Sequence, residues 1–277
     1  MLKSSVMCLT AGLLCWASAG AAQDKAVPNF APDANTAWNS DRPASDDFLP
    51  PPSGPGPVLS DPAHPYVPNG AGRQSTYRVA DLTNPILKPW VIEQMRKANN
   101  DVLAGKVPFI ARERCWPAGV PGLDIYNRGQ PVHFIQTPKQ VVIINELYTQ
   151  MRHVYLNVPH SAHVTPSWYG ESVGHYEGDE LVVDTIGLND KTFVDNYRTP
   201  HTDKIHVVER WKLIEGGNIL QATVRVEDPG AFTTPWTGVQ RWKRIARPLE
   251  EYLCEESNVG FYGYDVAPIP TALRPDF

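Results

Sequence analysis

Several absences narrow the reading before any motif is found. The 277-residue chain has no C-x-x-C pair, no G-x-S-x-G elbow, no Gly-rich phosphate loop and no long run of like charge. Without C-x-x-C there is no basis for thiol redox chemistry or a structural zinc site. Ser172 is flanked by Glu171 and Val173, so the nucleophile elbow of an α/β-hydrolase is missing. Nucleotide cofactors find no phosphate cradle, and no organic cofactor is expected. Lys and Arg number 25 against 30 Asp and Glu, mixed along the chain, so no basic face for nucleic acid is expected. Beyond residue 22 no apolar run is long enough to span a bilayer.

The N-terminus has the layout of a cleavable export signal. Lys3 precedes the apolar run Val6 to Trp16, and small residues Ala19, Gly20, Ala21 and Ala22 follow before Gln23. Cleavage near Ala21 or Ala22 removes Cys8 and Cys15 and delivers the chain to the periplasm or the exterior. Cys115 and Cys254 remain, and in an oxidising compartment two cysteines read as one disulfide. It would close a loop of more than a hundred residues, worth on the order of 4 kcal/mol in the chain-entropy picture.

Residues 1–22 are thus read as signal, 23–78 as a proline-rich arm and 79–277 as a helix plus a β domain. Eleven of the 27 prolines fall between Pro28 and Pro68, where regular backbone pairing is disfavoured. Phe30, Trp38, Phe48 and Tyr66 give this arm apolar anchors for draping over the domain. A helix is expected from Pro85 or Pro89 to Gly105, with Trp90, Val91, Met95, Ala98, Val102 and Leu103 at helical spacing.

Short β runs then recur: 133–136, 141–146, 153–156, 172–177, 180–186, 206–214, 219–227, 238–245 and 251–254. Gly178-Asp179 and Gly216-Gly217-Asn218 are hairpin signals. About nine strands without intervening helices predict a mainly β fold, an antiparallel barrel or strongly bent sheet, with a two-sheet sandwich as the alternative.

Three stretches resemble a known group. The first is Cys115-Trp116-Pro117-Ala118-Gly119-Val120-Pro121. The second runs from Trp168-Tyr169-Gly170-Glu171-Ser172-Val173-Gly174 through Glu177-Gly178-Asp179 to Leu181-Val182-Val183-Asp184-Thr185. The third comprises Pro200-His201-Thr202, Val208-Glu209-Arg210, Asp228-Pro229, Phe232-Thr233 and Pro235-Trp236. Together, over roughly Pro89 to Glu256, they resemble a large family of uncharacterised secreted bacterial proteins. The resemblance implies export and brings no activity with it. The hairpin pattern is also similar to lipocalin-like barrels, at the level of fold alone.

Alternation along strands sorts the chemistry-bearing residues. Val207, Glu209, Trp211 and Leu213 share one face, which puts the Glu209 carboxylate inside, where a cation or donors must hold it. Arg152, whose planar fork stays charged when buried, is the expected partner of Glu209 or Glu146, or the anchor for a substrate oxyanion. Asp184 shares a face with Val182 and Ile186 and is grouped with these interior carboxylates. Asp228 ends the inward row Ala222, Val224, Val226, and its place before Pro229 favours a turn cap. His201, in a loop entering the Glu209 strand, is suited to proton transfer. His160 and His163 form an H-x-x-H pair, with His153, His175 and His201 as candidate third metal ligands, but a loop between Pro159 and Pro166 argues against a metal. Trp168, Tyr176, Trp211 and Trp236 are read as pocket-lining aromatics for a flat apolar ligand.

The combined expectation is an exported, cofactor-independent acid–base enzyme, of lyase, isomerase or hydrolase type. Its substrate would be a small hydrophobic or aromatic molecule. His201, Glu209 and Arg152 form the catalytic group, with Glu146, Asp184, Trp168, Tyr176, Trp211 and Trp236 on the substrate. Two rivals are a non-catalytic lipocalin-like binder and an envelope protein whose arm engages a partner.

Overall fold

The computed structural model describes residues 27–41, 48–66, 78–106, 116–122, 131–146 and 150–251. The signal segment, Cys115 and Cys254 lie outside the described residues, as do 252–254 of the last expected strand. Nine strands form a closed barrel in sequence order: β1 Thr36–Ser40, β2 Val132–Gln136, β3 Gln140–Asn145, β4 Gln150–Leu156, β5 Glu171–Glu177, β6 Glu180–Ile186, β7 His206–Ile214, β8 Ile219–Glu227 and β9 Trp236–Ala246. Closure removes the sandwich alternative. Helix α1 covers Pro89–Leu103.

An odd number of strands has a topological consequence. Strand direction cannot alternate all the way around a ring of nine, so at least one neighbouring pair must be parallel. That pair is β4–β5, with Val154, Tyr155 and Leu156 opposite Ser172, Val173 and Gly174. The other eight pairs are antiparallel. A parallel neighbour requires the chain to run back along the wall, and residues 157–170 form this crossover without a helix. The barrel is therefore mixed rather than wholly antiparallel.

The second difference lies in the arm. Thr36–Ser40 pairs with β9 over five residues and touches β2 at the single position Trp38–Val132. One of the nine strands, β1, thus comes from the proline-rich segment, and Trp38 carries its indole into the core. Phe30, Trp38 and Phe48 are all buried, and the Trp38 Nε1–H donates to the Phe30 carbonyl at 2.8 Å.

Inward positions follow the pleat. Arg152, Val154 and Leu156 on β4, Val207, Glu209 and Trp211 on β7, and Leu220, Ala222, Val224 and Val226 on β8 are buried. The interior is packed with side chains; Trp211 stacks on Trp242 at 5.1 Å and meets the edge of Phe134 at 5.7 Å. On α1, Val91, Met95, Asn99 and Val102 are the buried stripe, while Trp90 and Leu103 are exposed. Asn99 fastens the helix by exchanging two hydrogen bonds with the backbone of Ala80.

Candidate functional site

One charged pair inside the barrel is held in a hydrogen-bonded network. Arg152 places its guanidinium on both carboxylate oxygens of Glu209, with NH1 at 3.1 Å from Oε1. Its Nε donates to Ser172 Oγ at 3.0 Å and NH2 to Thr185 Oγ1 at 2.7 Å, and those two hydroxyls join at 2.9 Å. All four residues are at most 2 % exposed. Strand alternation placed Glu209 inside and left Arg152 open between Glu209, Glu146 and a substrate oxyanion; the structure gives it Glu209, and the bidentate fork explains why both tolerate burial.

His201 is not part of this network. Its Nδ1 donates to the Thr202 carbonyl at 3.0 Å, so Nε2 accepts from the Thr192 hydroxyl at 2.8 Å. Burial holds its pKa below the ordinary histidine value, against smaller opposing effects of the Thr202 carbonyl, Asp228 and Asp190. This is a neutral ring with both nitrogens engaged, and the expected approach to Glu209 does not occur. Glu146 is likewise separate: it meets His133 at 2.9 Å and Arg247 at 3.2 Å. Asp228 caps its turn, accepting from the Thr202 N–H and hydroxyl and from the Gly230 N–H.

The aromatics grouped on a substrate are dispersed. Trp211 lies in the barrel core, and Trp236 packs against Phe48 and Phe232. Tyr176 receives a hydrogen bond from Gln136, and Trp168 pairs with Trp116 at the surface.

Asp184 corrects the sequence reading most fully. It points outward, with 39 % side-chain exposure, because Leu181, Val183 and Thr185 hold the inward positions of β6. There it accepts from Nε2 of His160 at 2.9 Å and Nε2 of His206 at 3.0 Å on the same oxygen, Oδ1. The other nitrogen of His160 sits 3.0 Å from Glu171 Oε1. Glu171 also accepts from the Ser161 N–H at 2.7 Å and the Ser161 hydroxyl. The Ser161 hydroxyl, then its N–H, hold the Glu171 carboxyl below the usual carboxylate range, and His160 adds to the effect. Carboxylates only accept, so both nitrogens of the His160 ring face acceptor oxygens.

A continuous chain results: Glu171, His160, Asp184, His206. His160 comes from the crossover and the other three from β5, β6 and β7, so linear spacing gave no sign of their meeting. His206 and Glu171 escaped notice because each opens a strand beside a stronger motif. The H-x-x-H pair does not act as a unit. Among the described residues, no group of three or more His, Cys, Asp or Glu is placed to hold a metal ion.

Beside this chain the wall opens. A cleft of about 390 Å³ lies between the crossover and β4, lined by Met151, His153, Tyr155, His163, Tyr169 and Glu171 among others, with Arg152 and Ser172 at its floor. Burial raises the pKa of the Tyr169 phenol well above its ordinary value. Glu171 belongs both to the cleft and to the carboxylate–imidazole chain. No family model, curated protein or solved structure matches the chain.

Proposed function

We propose that this is an exported, cofactor-independent protein that takes a small, partly aromatic molecule in the crossover cleft and acts on it by acid–base chemistry. The observation that supports this is the position of Glu171, which ends the hydrogen-bonded chain of two carboxylates and two imidazoles and also lines the cleft. Such a chain links acceptor and donor groups that a proton could be handed along. The cleft offers Tyr155, Tyr169 and Met151 to an apolar ring and His153 and His163 to its polar substituents. The reading moves the acid–base work to the outer wall, away from Arg152 and Glu209, which satisfy each other, and from His201, which Thr192 and Thr202 engage. A lyase or isomerase fits best, since proton removal and return need no co-reactant.

The export signal, cleavage near Ala21 or Ala22, residence in the periplasm or outside the cell, and a Cys115–Cys254 disulfide form part of the same proposal. So does the resemblance to secreted bacterial proteins. Among the described residues no helix is long and apolar enough to cross a membrane. The rival, a non-catalytic binder, draws support from the buried charged groups that satisfy one another, and its ligand would use the same outer cleft because the barrel interior is filled.

The test uses p-cresol as a binding probe and a panel of small aromatic acids and esters as substrates, followed by NMR. Saturable p-cresol binding that Tyr155→Ala weakens at least tenfold supports the cleft. Turnover lost in both Glu171→Gln and His160→Ala, in folded protein, supports the enzyme; binding without any product supports the binder. Unchanged p-cresol binding in Tyr155→Ala overturns the site.

A further inference from the structure

The cleft has a backbone edge as well as side chains. Along β4 the peptide groups alternate between neighbours. The Leu156 N–H donates to the Lys139 carbonyl on the β3 side, at 2.8 Å. The Asn157 N–H donates to the Gly174 carbonyl on the β5 side, also at 2.8 Å. Counting back by twos, Tyr155, His153 and Met151 direct their peptide groups toward β5. Yet the parallel pairing begins only at Val154–Ser172, and β5 itself starts at Glu171. The N–H groups of His153 and Met151 and the Met151 carbonyl thus face the cleft rather than a strand. No hydrogen bond among the described residues engages them.

A second observation bears on the same space. The Tyr169 hydroxyl, from a residue that lines the cleft, is buried and has no hydrogen-bond partner among the described residues. Side chains on the outward face of β4 are Met151, His153 and Tyr155, with Met151 and Tyr155 about half exposed. They form an apolar and aromatic row along the open edge.

We infer that the cleft takes a short extended peptide, which continues the line of β5 along the edge of β4 that no described residue pairs. This rests on the cleft reading above and specifies its ligand class. A strand-like backbone is what two outward N–H groups and a carbonyl at this spacing recognise. The edge is only about three residues long, so a tripeptide fills it, with an aromatic side chain lying on Met151 and Tyr155. Glu171 then stands at one end of the bound peptide, in reach of a ligand N–H or a cationic group.

The probe is N-acetyl-Ala-Tyr-Ala-amide, compared by calorimetry with its three singly N-methylated forms and with p-cresol. The capped peptide should bind at least tenfold more tightly than p-cresol, which presents the same ring without a backbone. Methylation at one residue only, the one whose N–H meets the Met151 carbonyl, should cost at least tenfold, since this edge offers a single carbonyl acceptor and two N–H donors. Amide exchange at Met151 and His153 should slow at least tenfold on binding, while the Leu156 amide, already paired to β3, should not change. Equal binding of peptide and p-cresol overturns the peptide assignment and leaves the aromatic cleft standing. Peptide binding that is indifferent to every N-methyl group, or that leaves the Met151 and His153 amides unprotected, overturns it as well. Failure of both probes to bind removes the cleft reading itself.

Discussion

Arg152 on β4 and Glu209 on β7 meet across the barrel interior as a two-pronged ion pair, both 1 % exposed or less. Removing one partner leaves the other charged and buried. Glu209→Ala should therefore lower stability by about 3–5 kcal/mol, measured by urea denaturation. The double replacement Arg152→Met with Glu209→Leu should recover most of that loss, because neither charge then has to be desolvated. A single replacement that costs less than about 1 kcal/mol would contradict the closed network.

His201 should make stability pH-dependent in a defined direction. Its folded pKa lies below the ordinary value of 6.5, chiefly because the ring is buried. Above pH 6.5 the ring is neutral in both states and contributes fully. As pH falls below that value the unfolded chain takes up a proton that the folded chain resists, and stability is lost toward the folded pKa. The slope from this group is at most about 1.4 kcal/mol per pH unit. Urea midpoints at pH 7.5, 6.5 and 5.5 should fall more steeply in the wild type than in His201→Gln. Parallel losses in the two proteins would show that the ring does not behave as a buried neutral group.

Period-2 alternation made the barrel wall legible where one face is apolar and the hairpin turns are explicit. Glu209 and Asp228 fell on the correct faces because Val207, Trp211, Ala222 and Val224 flank them. Asp184 did not, since Val182 and Val183 are both buried and adjacent apolar residues cancel the alternation. The strand Thr36–Ser40 was hidden by the prolines around it, which mark a segment that cannot extend a sheet but do not forbid five paired residues. The parallel pair was hidden for a different reason. Local sequence reports pleat and turn, whereas the direction of a neighbour follows from closing an odd ring. Everything assembled across the crossover, including the His160 contacts and the cleft, inherits that invisibility.

Gly174 on β5 should be intolerant of even one methyl group. A Cβ there would stand 2.7 Å from the Val182 carbonyl oxygen and 2.9 Å from Val154 Cγ1. One neighbour is backbone on β6 and the other belongs to the parallel partner β4. Neither can withdraw without loosening the wall. Gly174→Ala should cost about 1–3 kcal/mol by thermal or urea unfolding. Gly54→Ala provides the comparison for space, because nothing stands within 4 Å of its added Cβ. Its positive φ limits the cost to local strain, of order 1 kcal/mol.

Glu171 fastens the crossover to the barrel wall through the Ser161 N–H, the Ser161 hydroxyl and His160. The side chains of His160 and Glu171 are both 22 % exposed, so these contacts govern local opening far more than global stability. In Glu171→Ala the Ser161 amide should lose at least tenfold in exchange protection, while the Leu156 amide stays as in the wild type. Global stability should change by less than about 1 kcal/mol. Because the Ser161 donors hold the carboxyl below its ordinary value of 4.5, the contact contributes above that pH and is lost only as pH falls through the lower folded value. Ser161 in the wild type should therefore keep its protection factor at pH 4.5 and lose it on further acidification. Loss of protection already between pH 7 and 5 would show that the Glu171 carboxylate does not hold Ser161.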